Sequence, residues 1–191
     1  MLRPINVGTK FRDILIVYHA IVPFLYTNNC KHALSIEHVV PVRILKKIGQ
    51  GKEAAIVDPY NLHLTTQKYN SLRSDYIFFL PGKTLRESLE KDSHFVKTFK
   101  DAGSGCLISH KFRVFVPRLQ DYAIISRSAL HCQKKYGIDC KQVVLGGEGV
   151  AHFWANKPLD GREKVHHTLA KFWTVWGKRG CNGKSNVQDS E

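Results

Sequence analysis

Glu37 and His38 are adjacent, Pro41 follows shortly after, and Asn61, Asn70 and Arg73 come downstream in the runs Asp58-Pro59-Tyr60-Asn61-Leu62 and Tyr69-Asn70-Ser71-Leu72-Arg73-Ser74-Asp75-Tyr76. Such a set could hydrolyse a phosphodiester. That reaction needs a base to activate water, a cation to neutralise charge building on the leaving oxygen, and side chains to hold the cation. His38 is the expected base: a neutral imidazole takes a proton from water when its other nitrogen is held by a carbonyl or carboxylate. Glu37 is the expected metal ligand, since Mg²⁺ takes hard oxygen donors and keeps several waters, so one carboxylate and one amide oxygen suffice. Asn70 offers that amide oxygen, or else caps a helix. Asn61 reads as a clamp that bonds loop backbone and fixes the strand carrying His38. Arg73, three residues beyond Asn70 on the same helix face, either bonds phosphate oxygens bidentately or is an ordinary surface arginine. His38 alone, one of ten histidines, would more often be structural; its neighbours Glu37 and Pro41 raise it.

Positioning these groups requires a strand, a loop, a second strand and a helix. Residues 35–42 are β-branched and extended until Pro41 stops them, so the first strand is expected to end on Glu37 and His38. Neighbours on a regular strand point to opposite faces, so the pair can share one site only where the strand ends or kinks. Arg43 to Ile48 reads as a short helix, and Gly49 to Lys52 as a flexible basic loop. Asp58-Pro59 opens a turn, Leu62 to Leu64 forms a second strand, and Thr65-Thr66 offers caps for a helix over 67–74.

Scaffold surrounds this unit. An all-round apolar helix is expected over 11–25, an extended segment over 75–80, helices over 84–100, 120–136 and 159–176, and a strand over 109–117. Gly137 should stop the long helix. Gly146 to Gly149 reads as a loop, and residues 183–191 as a disordered tail after a domain covering 1–182. The fold class expected is α+β, a mostly helical single domain.

Lys and Arg total 29 against 16 acids, a formal net charge of +13, so the field favours a polyanion such as nucleic acid. Five cysteines with no CxxC pair announce neither a zinc knuckle nor a complete disulfide framework; reduced thiols are expected, with a Cys132–Cys140 bridge as the alternative. No apolar run is long enough to span a bilayer. The nearest, residues 14–26, is broken by His19 and Pro23 and reads as a core helix ahead of a signal peptide.

On Glu37-His38-Val39-Val40-Pro41, on Asp58, Asn61 and Leu62, and on Asn70, Arg73 and Tyr76, the chain resembles the endonuclease I family of the His-Me finger (ββα-metal) nucleases. Phe115-Val116-Pro117, Asp121 to Arg127, Tyr136-Gly137, Pro158, Glu163 and residues 177–182 extend the likeness. The resemblance implies a small ββα-metal core with His38 as base and Glu37 and Asn70 as ligands of Mg²⁺ or another divalent cation such as Mn²⁺ or Ca²⁺. It also implies cutting of DNA, or RNA too, with little sequence preference; a monomer with no membrane partner is expected. Only 19 residues separate His38 from Asp58, shorter than the family's cysteine-bearing insertion, and the phosphate-stabilising arginine of that insertion has no clear counterpart. Lys47 or Lys52 would stand in, with Arg118 and Arg127 as further nucleic-acid contacts. The missing disulfide pattern favours an intracellular or viral setting over a secreted one. The alternative is a basic DNA-binding protein that keeps the fold without catalysis.

Overall fold

Alternating apolar and β-branched residues form strands β1 (Leu34–His38) and β2 (Leu62–Thr66), which pair antiparallel from Leu34↔Thr66 to His38↔Leu62. The structure, a computed structural model, describes residues 10–17, 25–26, 33–48, 53–97 and 105–174. Helix α3 (Gln67–Arg73) follows β2 directly, with Thr66 in the N-cap position but making no side-chain cap bond. Between the strands lie helix α2 (Val42–Ile48) and a 3-10 turn over Glu53–Ile56. The first strand, the short helix, the second strand and the following helix thus stand where the residue pattern put them.

All of β2 is buried, because both faces of the hairpin are covered. One face meets helix α1 (Phe11–Val17) and helix α7 (Gly161–Phe172) in a cluster of Phe11, Ile14, Leu15, Leu62, Leu64 and Ala170. Each fully buried leucine there contributes roughly 2 kcal/mol. α3 lies against β1, where the Asn70 amide donates to the Ser35 hydroxyl and the Ile36 carbonyl. α7 begins on Asp160, whose carboxylate accepts from the Glu163 N–H at 2.7 Å, satisfying one of the open donors of the first turn.

A second sheet runs β3 (Ile77–Phe78), β6 (Val114–Val116), β5 (Leu107–Ser109) and β4 (Val96–Lys97) in spatial order, with β3 parallel to β6 and the other pairs antiparallel. Its inner face joins the main core through Phe78 and Phe115, packed with Tyr26, Tyr122, Ile125 and Cys132. The long helix α5 (Tyr122–Tyr136) stops where expected: Gly137 is left-handed at φ 62° and its N–H caps the Gln133 carbonyl.

Several expectations change. The helix expected over 84–100 is only α4 (Lys83–Leu89); the Asp92 carboxylate accepts from the His94 N–H at 2.8 Å and its carbonyl from Phe95, a turn that competes with helix and leads into β4. The strand expected over 109–117 is a hairpin, β5 and β6 joined through a turn at 110–113. The loop expected at Gly146 to Gly149 instead opens helix α6 (Gly147–Ala155), with Gly146 and Gly147 at φ 90° and 66°. The helix expected over 159–176 is Gly161–Phe172. The parts of the expected helices at 18–24, 98–100 and 175–176, the loop 49–52, Cys30, and residues 177–191 with Cys181 and the tail lie outside the described residues.

Cys106, Cys132 and Cys140 are buried thiols outside any disulfide; burial pushes Cys132 up to about 12 and Cys140 up to about 11. Among the described residues no helix is long and apolar enough to cross a membrane. The fold is α+β.

Candidate active site

β1 ends at His38, and the two residues after it bond to Asn61, Val39 through the backbone and Val40 through the side chain. Asn61, fully buried, accepts from the Val40 N–H at 2.7 Å through Oδ1 and donates Nδ2 to the Val40 and Ala55 carbonyls. Its own carbonyl takes the Val39 N–H. The side-chain amide therefore takes the place of a ladder partner at Val40, two residues after His38.

Asn61 is itself held from below. Asp58 is buried and accepts from the Tyr60 N–H and from the side chains of His131, Lys135 and Tyr136, which project from α5. Burial alone would raise its pKa, but those donors outweigh it and hold the carboxyl well below the usual range. The loop between Asp58 and Leu62 is thereby pinned to the long helix.

The His38 ring places Nε2 3.0 Å from the Ile56 carbonyl. A carbonyl only accepts, so Nε2 carries the hydrogen and Nδ1 keeps its lone pair. Burial, and after it the Arg73 charge, lower the pKa despite the carbonyl bond, so the ring is neutral at pH 7. A neutral imidazole with one nitrogen fixed and the other open is chemically a base.

Glu37 points into the protein with no exposed surface; Oε1 lies 2.9 Å from Arg73 Nη1. Neither of its oxygens accepts a hydrogen bond of good geometry. Burial pushes its pKa up to about 7, although Arg73 and the neighbouring Tyr26 hydroxyl pull it down. The Arg73 expected to meet phosphate is differently employed: it is 2% exposed, donates to the His38, Ser74 and Val39 carbonyls, and stacks over the Phe78 ring at 4.3 Å. It knits the end of β1 to α3.

A cavity of about 240 Å³ opens beside these groups, lined by His38, Pro41, Val42, Arg43, Asn70 and Asp75, with Arg73 and Ser74 at its base. His38 and Asn70 thus meet at one opening, while Glu37 lies behind Arg73. Asn70 spends its N–H donors on Ser35 and Ile36, which leaves Oδ1 as its donor to a cation. A buried carboxylate and an amide oxygen from the adjacent helix are hard donors of the kind an Mg²⁺-class ion takes, but Asn70 lines the cavity and Glu37 is sealed against Arg73. Among the described residues no group of three or more His, Cys, Asp or Glu could hold a metal, so an ion there would rest on Glu37, Asn70 and its own waters.

The other expected contacts separate. Lys47 is exposed in the last turn of α2 and Lys52 lies outside the described residues. Arg118 is 6% exposed and grips both Asp121 oxygens, at 2.8 and 2.7 Å. Arg127 holds both Glu163 oxygens and the Ala155 and Lys157 carbonyls. These two guanidinium groups tie loop and helix ends together instead of facing a ligand. Sequence reading missed Arg43, Asp75 and Arg113: Arg43 and Arg113 reach the two oxygens of Asp75 at 2.9 and 2.6 Å. The signal available was the place of Arg43, five residues past His38.

A second cavity of about 280 Å³ lies between β2, α5 and α7. Here His63 and His166 stack at 4.4 Å, His63 Nε2 meets the Ser128 hydroxyl at 2.8 Å, and His166 Nε2 donates to the Leu62 carbonyl. Burial lowers both, His166 to about 4. Compared with models of known protein families and with curated proteins, the chain matches none.

Proposed function

We propose that the protein is a metal-dependent endonuclease that hydrolyses phosphodiester bonds in DNA, and in RNA as well, with little sequence preference. The observation that carries this reading is the His38 ring, neutral, with Nε2 fixed on the Ile56 carbonyl and Nδ1 open beside the cavity it shares with Asn70. The hairpin β1–β2 with α3 against it is the arrangement a ββα-metal core would take, and the +13 formal charge suits a polyanion.

In this reading His38 Nδ1 takes the proton from the attacking water, and Ile56 keeps the ring in the required tautomer. Asn61 fixes the backbone after His38, so the ring is placed without adjustment in the transition state. Glu37 and Asn70 would hold a single Mg²⁺, Mn²⁺ or Ca²⁺, which when bound neutralises charge on the phosphate and the leaving oxygen. Arg73 orients Glu37 and the strand end and acts as a positioning residue. Phosphate contacts dominate affinity, so binding falls steeply as salt rises and the bases are not read.

One observation favours a second reading, a DNA-binding protein that keeps the fold without catalysis: Glu37 is sealed from solvent against Arg73. Supercoiled plasmid separates the two. Under the first reading the purified protein nicks and linearises it with Mg²⁺, EDTA stops the reaction, and His38→Ala binds without cutting. Equal binding by both proteins with no cutting under any divalent cation establishes the second.

A further inference from the structure

We infer that Arg43 and Arg113, bridged by Asp75 at the mouth of the His38 cavity, form a two-arginine clamp for the phosphate backbone; the inference rests on the phosphodiester reading above. Arg43 Nη1 meets Asp75 Oδ2 at 2.9 Å and Arg113 Nη2 meets Oδ1 at 2.6 Å. The arginine side chains are 66% and 61% exposed and the carboxylate 17%. One carboxylate therefore holds two forks, each with further N–H donors turned to solvent, and the cluster keeps a net charge of about +1.

Stability does not explain this arrangement. Exposed ion pairs contribute little, and the second guanidinium adds repulsion to the first. An anion bridging the two forks removes that repulsion, and a phosphate diester presents two oxygens suited to planar, bidentate donors. The backbone is also held in uncommon conformations around the cluster. Ser74, next to Asp75 and lining the cavity, and Arg113 itself both have φ 52°, which non-glycine residues adopt at a cost that functional sites often bear. The Arg113 guanidinium further lies over the Tyr76 ring at 5.0 Å, and Tyr76 bonds His110, so the β5–β6 turn is braced against the segment after α3. Arg43 and Asp75 stand on the cavity wall, and Arg113 comes from a separate element. A strand of nucleic acid held by Arg43 would lie at the cavity that His38 also lines.

The test uses a short fluorescein-labelled DNA duplex in Mg²⁺ with His38→Ala as parent, so that the probe is bound and not cut, and plasmid cleavage in the His38-intact background. Arg43→Gln and Arg113→Gln are each expected to weaken duplex binding several-fold. Each should lower the slope of log affinity against log salt by about 1, and together by about 2. Arg162→Gln, at an exposed position of α7, removes the same charge and should leave both quantities unchanged. Asp75→Asn makes the protein more positive yet releases the forks, so at least tenfold slower plasmid nicking without weaker binding marks a clamp instead of bulk charge. Thermal melts of the exposed arginine variants should match the parent. Unchanged affinity and slope in the two arginine variants, while the wild type still cuts, overturns the clamp and leaves the nuclease reading intact. A wild type that never cuts, with slopes that still depend on Arg43 and Arg113, overturns catalysis and keeps the clamp. No binding by the parent overturns both.

Discussion

Glu37 and Arg73 form a buried ion pair: Oε1 and Nη1 are 2.9 Å apart, and the side chains are 0% and 2% exposed. Every other donation by Arg73 goes to a backbone carbonyl at the end of β1 or α3. The pair therefore supports both the fold of the site and the carboxylate it would offer to a cation.

Breaking that pair leaves a buried charge without its partner. Arg73→Met is expected to lower stability by about 3–5 kcal/mol, a fall in Tm of roughly 10 °C for a chain of this size. Urea and thermal unfolding of Arg73→Met, Glu37→Gln and the double variant check this. A strong coupling, above about 1 kcal/mol, is expected; additive losses would show that the two side chains do not act as a pair.

His38→Ala should reduce plasmid cleavage by about 10²–10⁴-fold and leave duplex affinity unchanged, because the ring is assigned to proton transfer and not to phosphate contact. Cleavage rates under excess protein and anisotropy binding measure the two separately. Retained cleavage in the variant would remove His38 from the role of base.

Asn61→Ala deletes one accepted and two donated buried hydrogen bonds. A loss of about 2–4 kcal/mol follows from the unpaired Val40 and Ala55 groups. Cleavage should fall at temperatures where the variant is still folded, since the turn after His38 loses its frame. A variant that is destabilised yet cuts at the wild-type rate would restrict Asn61 to stability.

The stacked His63 and His166 give a pH dependence whose sign is fixed. Both have folded pKa values below the ordinary 6.5, His166 at about 4, with burial as the leading cause. The unfolded chain therefore binds protons that the folded chain refuses. Their stabilisation is complete above about pH 6.5 and is lost as pH falls toward about 4. His166 alone accounts for roughly 3 kcal/mol across that window. Urea midpoints between pH 4 and 7 should fall steeply for the wild type and less so for His166→Gln; parallel curves would refute the assignment.

What the sequence made legible was local. Pro41 after a β-branched run and Asp58-Pro59 before Asn61 each act within a few residues, and β1 and β2 follow from them; α3 starts after Thr66 as expected, though without the cap bond expected of it. Two errors were also local: Asp92 offers a side-chain oxygen that outcompetes the helix over 84–100, and the glycines at 146–147 read as a loop although they start α6. The fate of the arginines was not legible, because charge alone does not say which way a guanidinium faces. Asp121, three residues past Arg118, could have signalled an internal pair; Glu163, 36 residues past Arg127, could not. Asp75 stood inside the stretch singled out for chemistry, but its bond to Arg113 crosses 38 residues.

The hairpin that carries Glu37 and His38 is closed on one side by α3, which follows it at once, and on the other by α7, which supplies Ala170 to the cluster around Leu62 and Leu64. His166, in the same helix, bonds the Leu62 carbonyl across 104 residues. During synthesis, then, the segment bearing His38 leaves the ribosome long before the helix that seals its far face. The packing around the hairpin is therefore complete only after residue 170 has emerged, so its two faces are covered at different times.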